Sequence, residues 1–216
     1  MLVSLALLAA SPVTQSPVEP TAAECAYDRN AMLALDAVSF DQTEGMGWRV
    51  LHDKECFLEA AEILRDWQQI NGSALSPDDP RDRSLLRILA WHEGQMWGFA
   101  GHNAEALRHF ESSYRTGDDA STAAWNLYVE GTIAFLRRDR TSLTEAIAKV
   151  STIPKPPSWD NAVGMDGKPI SLPWPQNLTV LEGLERCWDE PYKRAYLCRD
   201  IQRLRKPDGV IPPGVS

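Results

Sequence analysis

No run of Lys or Arg interrupts this sequence, and its 22 basic residues are outnumbered by 30 acidic ones, leaving a net charge of −8. A surface of that sign disfavours nucleic acid or anionic lipid as the main partner. Long apolar stretches are missing too. The segment Leu2 to Ala10, LVSLALLAA, is far short of the roughly 20 residues a membrane-spanning helix needs. Period-2 alternation is absent, so nothing announces a strand. Catalytic signatures are also lacking: there is no G-x-S-x-G, H-E-x-x-H, Walker loop or G-x-G-x-x-G, and Trp91-His92-Glu93-Gly94-Gln95 stops short of the zinc-helix pattern. No C-x-x-C or His-Cys cluster offers a zinc site. His102 and His109 share a helix face without further ligands, and Asp66, Asp78, Asp79 and Asp82 do not follow calcium-loop spacing. His52 and Cys56, four apart, could form a thiolate pair only if Cys56 were free. No cofactor and no metal is implied.

What is present describes a globular chain, with 44% hydrophobic and 24% charged residues. Trp supplies 8 of the 18 aromatics, an excess that suits helix packing and groove recognition equally. Leu2 to Ala10 has the length of a signal-peptide core, with small residues near Ala10 and before Glu24 that suit cleavage, although no basic residue precedes Leu2. Residues 1–23 are therefore read as signal and spacer. Four cysteines, Cys25, Cys56, Cys187 and Cys198, fit two disulfides in an oxidising space. Of the three connectivities, Cys25 with Cys56 and Cys187 with Cys198 is favoured, each linking neighbouring helices. Periplasmic or secreted localisation follows.

Apolar residues then recur at spacings of three and four, predicting an all-α fold. Helices are expected near 25–38, 43–54, 56–70, 83–100, 103–115, 120–137, 141–150, 177–189 and 191–204. Asp41 or Thr43, Asp82, and Asp118 or Asp119 are candidate N-caps, Gly101 and Gly117 stop signals, and Pro191 suits a first turn. Residues 151–176 hold six prolines with Trp159 and Trp174, too many for helix, and are expected to fold over the helices. Residues 177–205 read as a helical hairpin stapled by Cys187 and Cys198, and 206–216 as a tail.

Within 24–150 a pattern repeats. Gly94, Ala106 and Phe110 match Gly131, Leu143 and Ile147 in spacing, and Trp48, Ala60 and Leu64 match both. Small side chains belong where two backbones approach, and bulky ones where the next pair docks. With Trp97 where the family has Tyr, this resembles the tetratricopeptide (TPR) repeat. The units depart from it in their spacing of 46 and then 37 residues, in Trp48 for Gly, in Leu143 and Ile147 for Ala and Phe, and in lacking the closing Pro. The resemblance implies antiparallel helical hairpins stacked as a short TPR-like solenoid, the stapled C-terminal hairpin acting as its cap. It further implies a concave groove for an extended peptide, lined by Arg49, His52, Trp91, Gln95, Trp125, Tyr128 and Phe135. The alternative is that the proline-rich segment or the N-terminal helix fills the groove and makes those aromatics core. The functional expectation is a non-catalytic module for a protein or peptide partner in the cell envelope. An acid/base enzyme in a helical pocket and a purely structural assembly part are the alternatives.

Overall fold

Aspartates start four of the helices. The carboxylates of Asp28, Asp79, Asp119 and Asp139 accept backbone N–H groups of the first turns that follow them, satisfying donors that have no partner within the helix. A computed structural model describes residues 20–163, 167–169 and 171–200. The signal-like segment Leu2 to Ala10 and the tail from 206 lie outside the described residues.

The described residues form nine α-helices and no strand, with one isolated bridge between Val163 and Pro169. In order they are α1 (Arg29–Leu33), α2 (Arg49–Asp53), α3 (Phe57–Asn71), α4 (Pro80–Phe99), α5 (Asn103–Ser112), α6 (Ala120–Leu136), α7 (Arg140–Ser151), α8 (Leu178–Arg186) and α9 (Tyr192–Leu197). Several boundaries differ from the sequence expectation. The first two helices are shorter, because residues 38–42 wind into a single π-turn between them. Helix α4 is capped by Asp79 and not Asp82, with Pro80 in the first helical position, where its missing N–H costs nothing. Neither Asp41 nor Thr43 caps α2, which begins after Trp48 without a side-chain cap. Helix α9 ends at Leu197 and passes into a 3₁₀ turn at Cys198–Asp200.

Helices α2 and α3, α4 and α5, and α6 and α7 form consecutive pairs, and all three pairs are joined by the same turn. Glu55, Gly101 and Arg138 occupy its left-handed position, with φ of 62°, 83° and 60°. The next residue donates back to the carbonyl five positions earlier, Cys56 to Leu51 at 2.9 Å, His102 to Trp97 and Asp139 to Ala134 both at 2.8 Å. This is the Schellman closure. It recurs at intervals of 46 and 37 residues, the register of the sequence pattern.

The small residues sit where side chains of a neighbouring helix press onto the backbone. A Cβ on Gly94 would lie 2.8 Å from the Phe110 ring, and one on Gly131 would lie 2.6 Å from Leu181. Ala60, Ala106 and Leu143, on the second helices of the three pairs, are fully buried. Helix α8 packs on α6 and α7 as a further layer, and α9 folds back against α4. Disulfides join Cys25 to Cys56 and Cys187 to Cys198. Two such bonds point to a non-reducing compartment. Helix α8 and the turn after α9 meet at Gly183, where a Cβ would lie 2.6 Å from the backbone nitrogen of Arg199. The proline-rich stretch folds on itself: Trp159 meets Trp174 edge to face at 4.8 Å. Their indole N–H groups bond the carbonyls of Leu172 and Ile153, and Gln176 ties the segment to the Ser121 carbonyl at 3.1 Å.

Candidate functional site

The seven residues expected to line a groove divide into two groups. Trp91, Gln95, Trp125, Tyr128 and Phe135 are all buried, none more than 7% exposed. Trp91 packs between helix pairs, 4.4 Å from Phe110, 4.7 Å from Tyr128 and 5.1 Å from Trp125 by ring centroid. Trp125 donates its indole N–H to the Ser113 carbonyl at 2.8 Å, and the Arg115 guanidinium lies 4.1 Å from its ring. These two rings are core between layers. Arg49 and His52 are half-buried. Arg49 donates to the Asp41 carbonyl at 2.7 Å and covers the Trp48 ring, and His52 bonds Asp53.

The surface running across α4, α5 and α6 is occupied by the C-terminal hairpin. Tyr192 of α9 sits 5.4 Å from Phe99, 6.0 Å from Phe110 and 6.1 Å from Phe135. It fits there because Gly98 leaves room, since a Cβ on that residue would come within 2.7 Å of the tyrosine ring. Tyr196 packs on Phe99 at 5.3 Å. Lys193 pairs with Glu55 at 2.7 Å and its ammonium lies over the Phe57 ring, so α9 reaches all three pairs. Burial pushes the Tyr128 hydroxyl well above its ordinary range, with the neighbouring Tyr196 and Tyr192 adding to the shift. Burial does the same to Tyr192. The Gln95 amide faces the Tyr192 hydroxyl, which has no other polar partner among the described residues.

Sequence reasoning missed two buried carboxylates. Asp41, fully buried in the π-turn, accepts the Trp48 indole N–H at 2.8 Å and pairs with His92 Nδ1 at 2.7 Å, and Gln42 also bonds it. Burial alone raises its pKa. The His92 charge and hydrogen bond, with Trp48 and Arg49, outweigh that and hold the carboxyl below its usual range. The adjacent residue on α4, Glu93, binds Gln68 at 2.7 Å, Trp97 at 3.1 Å and His109 at 3.0 Å. Both carboxylates are thus satisfied by an imidazole and an indole, the combination that lets a charge stay inside a helical layer.

Acid–base chemistry by either pair would need a cleft at the imidazole. Two open clefts, of about 450 and 240 Å³, lie beside Arg140 and Glu182 and between α6 and α7 near Tyr114. Neither is lined by Asp41, His92, Glu93 or His109. Among the described residues, the His, Cys, Asp and Glu side chains grouped closely enough for a metal are Cys25, Cys56 and Glu59, and both sulfurs there are spent in a disulfide. His102 instead meets the Trp97 ring. No helix among the described residues is long and apolar enough to cross a membrane. No protein-family model matches the chain, and no curated protein or solved structure matches it.

Proposed function

We propose that this chain is a non-catalytic module of the helical-repeat kind, resembling tetratricopeptide arrays, that binds a protein or peptide in the periplasm or in a secreted setting. One observation carries the reading: a surface spanning three helix pairs accepts a short aromatic helix, α9, through Tyr192, Lys193 and Tyr196. A surface that receives a helix of its own chain has the shape and chemistry to receive one from another chain. Aromatic anchors beside a single paired charge are the composition of energetic centres in protein interfaces. The two disulfides support the compartment. Both imidazole–carboxylate pairs lie away from the clefts, which weakens the enzyme reading.

The same occupied surface favours a second reading, a purely structural assembly part whose groove is permanently filled. Affinity capture from cell-envelope extract separates the two, with wild-type protein compared against His52→Ala, a half-exposed change beside Phe57 and Phe99. Binding through this surface gives a defined partner that the variant recovers several-fold less well. Equal recovery by both proteins, with unchanged melting curves, removes the groove reading and leaves the structural one.

A further inference from the structure

Two of the three inter-helix turns place a residue other than glycine in the left-handed position, and both of those side chains grip the C-terminal hairpin. Glu55 takes Lys193 of α9 at 2.7 Å. Arg138 donates to the Trp188 carbonyl at 2.5 Å and stacks 4.3 Å from the Trp188 ring centroid. The third turn has Gly101, where a Cβ would meet nothing within 4 Å. Space therefore does not explain why the middle turn carries glycine and the outer two do not. Non-glycine residues in this conformation store backbone strain, and such strain collects where a contact or a switch needs it. Here it is stored at the two points that hold the hairpin, Trp188 before its turn and Lys193 beyond it. Between those points lies the Tyr192 hydroxyl, buried with the Gln95 amide as its one polar neighbour among the described residues.

We propose that α9 is a displaceable occupant of this surface, clamped by Glu55 and Arg138. Its external competitor is a helical segment of the same pattern: an aromatic residue, lysine next, a small residue fourth and a second aromatic fifth. In this chain those places are held by Tyr192, Lys193, Ala195 and Tyr196. The inference rests on the protein-binding reading above and specifies its partner. Each feature has a receiving group. The lysine meets Glu55 and the Phe57 ring. The small residue is required because Ala195 is fully buried, and the aromatics fill the space beside Gly98 and Phe99. A chain of net charge −8 also attracts a cationic segment over an anionic one.

The probe is a fluorescein-labelled peptide of residues 190–199 carrying Cys198→Ser, titrated by anisotropy into full-length wild-type protein and into Arg138→Gly. Glycine suits that backbone position, so the variant keeps its turn while losing the hold on Trp188, which the peptide lacks, and it keeps Glu55 for the peptide's lysine. Expected results are peptide binding several-fold tighter to the variant and loss of binding when the peptide carries Tyr192→Ala and Tyr196→Ala. Amide exchange across 192–197 should be several-fold faster in the variant. Unchanged exchange, or equal peptide affinity for both proteins, overturns the clamp and leaves the protein-binding reading standing. Accelerated exchange without any peptide binding overturns the proposal and that reading together. Glu55→Gln removes the charge without touching the backbone preference. Because the peptide's lysine uses the same carboxylate, it should speed exchange across 192–197 without tightening the peptide, and a wild-type exchange rate there counts against the clamp.

Discussion

His92 on α4 holds the carboxylate of Asp41 at 2.7 Å, joining a π-turn to a helix 51 residues further along the chain. Asp41 has no exposed surface, and the His92 side chain is 14% exposed. Removing one member of such a pair leaves the other's polar groups buried without compensation, at a cost of about 3 kcal/mol or more. Asp41→Asn is expected to lose about that much in urea denaturation at pH 7. The pH dependence has a fixed sign, since the folded-state pKa of Asp41 is lowered. Its contribution is complete above the unfolded value of about 4 and fades as pH falls through the folded value. The wild type should lose stability through that acid window, and Asp41→Asn should lose less there. A parallel decline in both would exclude Asp41 as a source of the acid sensitivity.

The glycines in the helix interfaces give a graded set of substitutions. At Gly94 and Gly131 an added methyl meets side-chain atoms, at 2.8 Å and 2.6 Å, and these can shift partly. Overpacking of that kind costs about 1–3 kcal/mol. At Gly183 the methyl meets the backbone of Arg199 at 2.6 Å, which is pinned by the disulfide at Cys198. Thermal melts of the three alanine variants should therefore place Gly183→Ala lowest. If Gly94→Ala melted like the wild type, the close approach of α4 and α5 would not be a determinant of the fold.

How much of this was legible follows from the range over which each signal acts. The register of the pairs could be read because Gly94, Ala106 and Phe110 meet within one hairpin, so their spacing is itself the contact. The role of Asp41 could not, because it depends on His92, brought in from another helix. Locally, Asp41 before Thr43 looks like a helix cap. Whether Trp125, Tyr128 and Phe135 line a groove or belong to the core stayed open in the sequence, although α6 carried a pointer to the core. Between 120 and 136 its only charged residue is Glu130, and a helix apolar on nearly every face is buried on both sides. The identity of the segment covering the surface was beyond the sequence pattern, which nominated the proline-rich stretch and the N-terminal helix and passed over α9.

The three equivalent turns separate backbone strain from side-chain contact. Gly101→Ala introduces a methyl into open space at φ of 83°, so any loss is conformational, about 1 kcal/mol. Arg138→Gly relieves a similar strain and gives up contacts with Trp188 that are largely at the surface, so the two effects roughly offset. Differential scanning calorimetry should show a lower Tm for Gly101→Ala and a change within about 1 kcal/mol for Arg138→Gly. A large loss in the second case would mean that the Trp188 contact carries far more than surface interactions usually do.

The two disulfides close loops of different length, with sequence separations of 31 and 11. In the chain-entropy model the first should stabilise the fold by about 4 kcal/mol and the second by about 3 kcal/mol. Their structural consequences differ more than these energies. Cys25 and Cys56 tie the N-terminal segment to the start of α3, whereas Cys187 and Cys198 tie together the two helices of the hairpin. Cys187→Ser/Cys198→Ser is therefore expected to raise amide exchange in 192–197 well before the melting of α3 to α7. Cys25→Ser/Cys56→Ser should instead lower the melting of the whole array. Exchange in α9 that tracked global unfolding in the first variant would show that the hairpin and the helix pairs form one cooperative unit, with no independent opening of the surface that α9 covers.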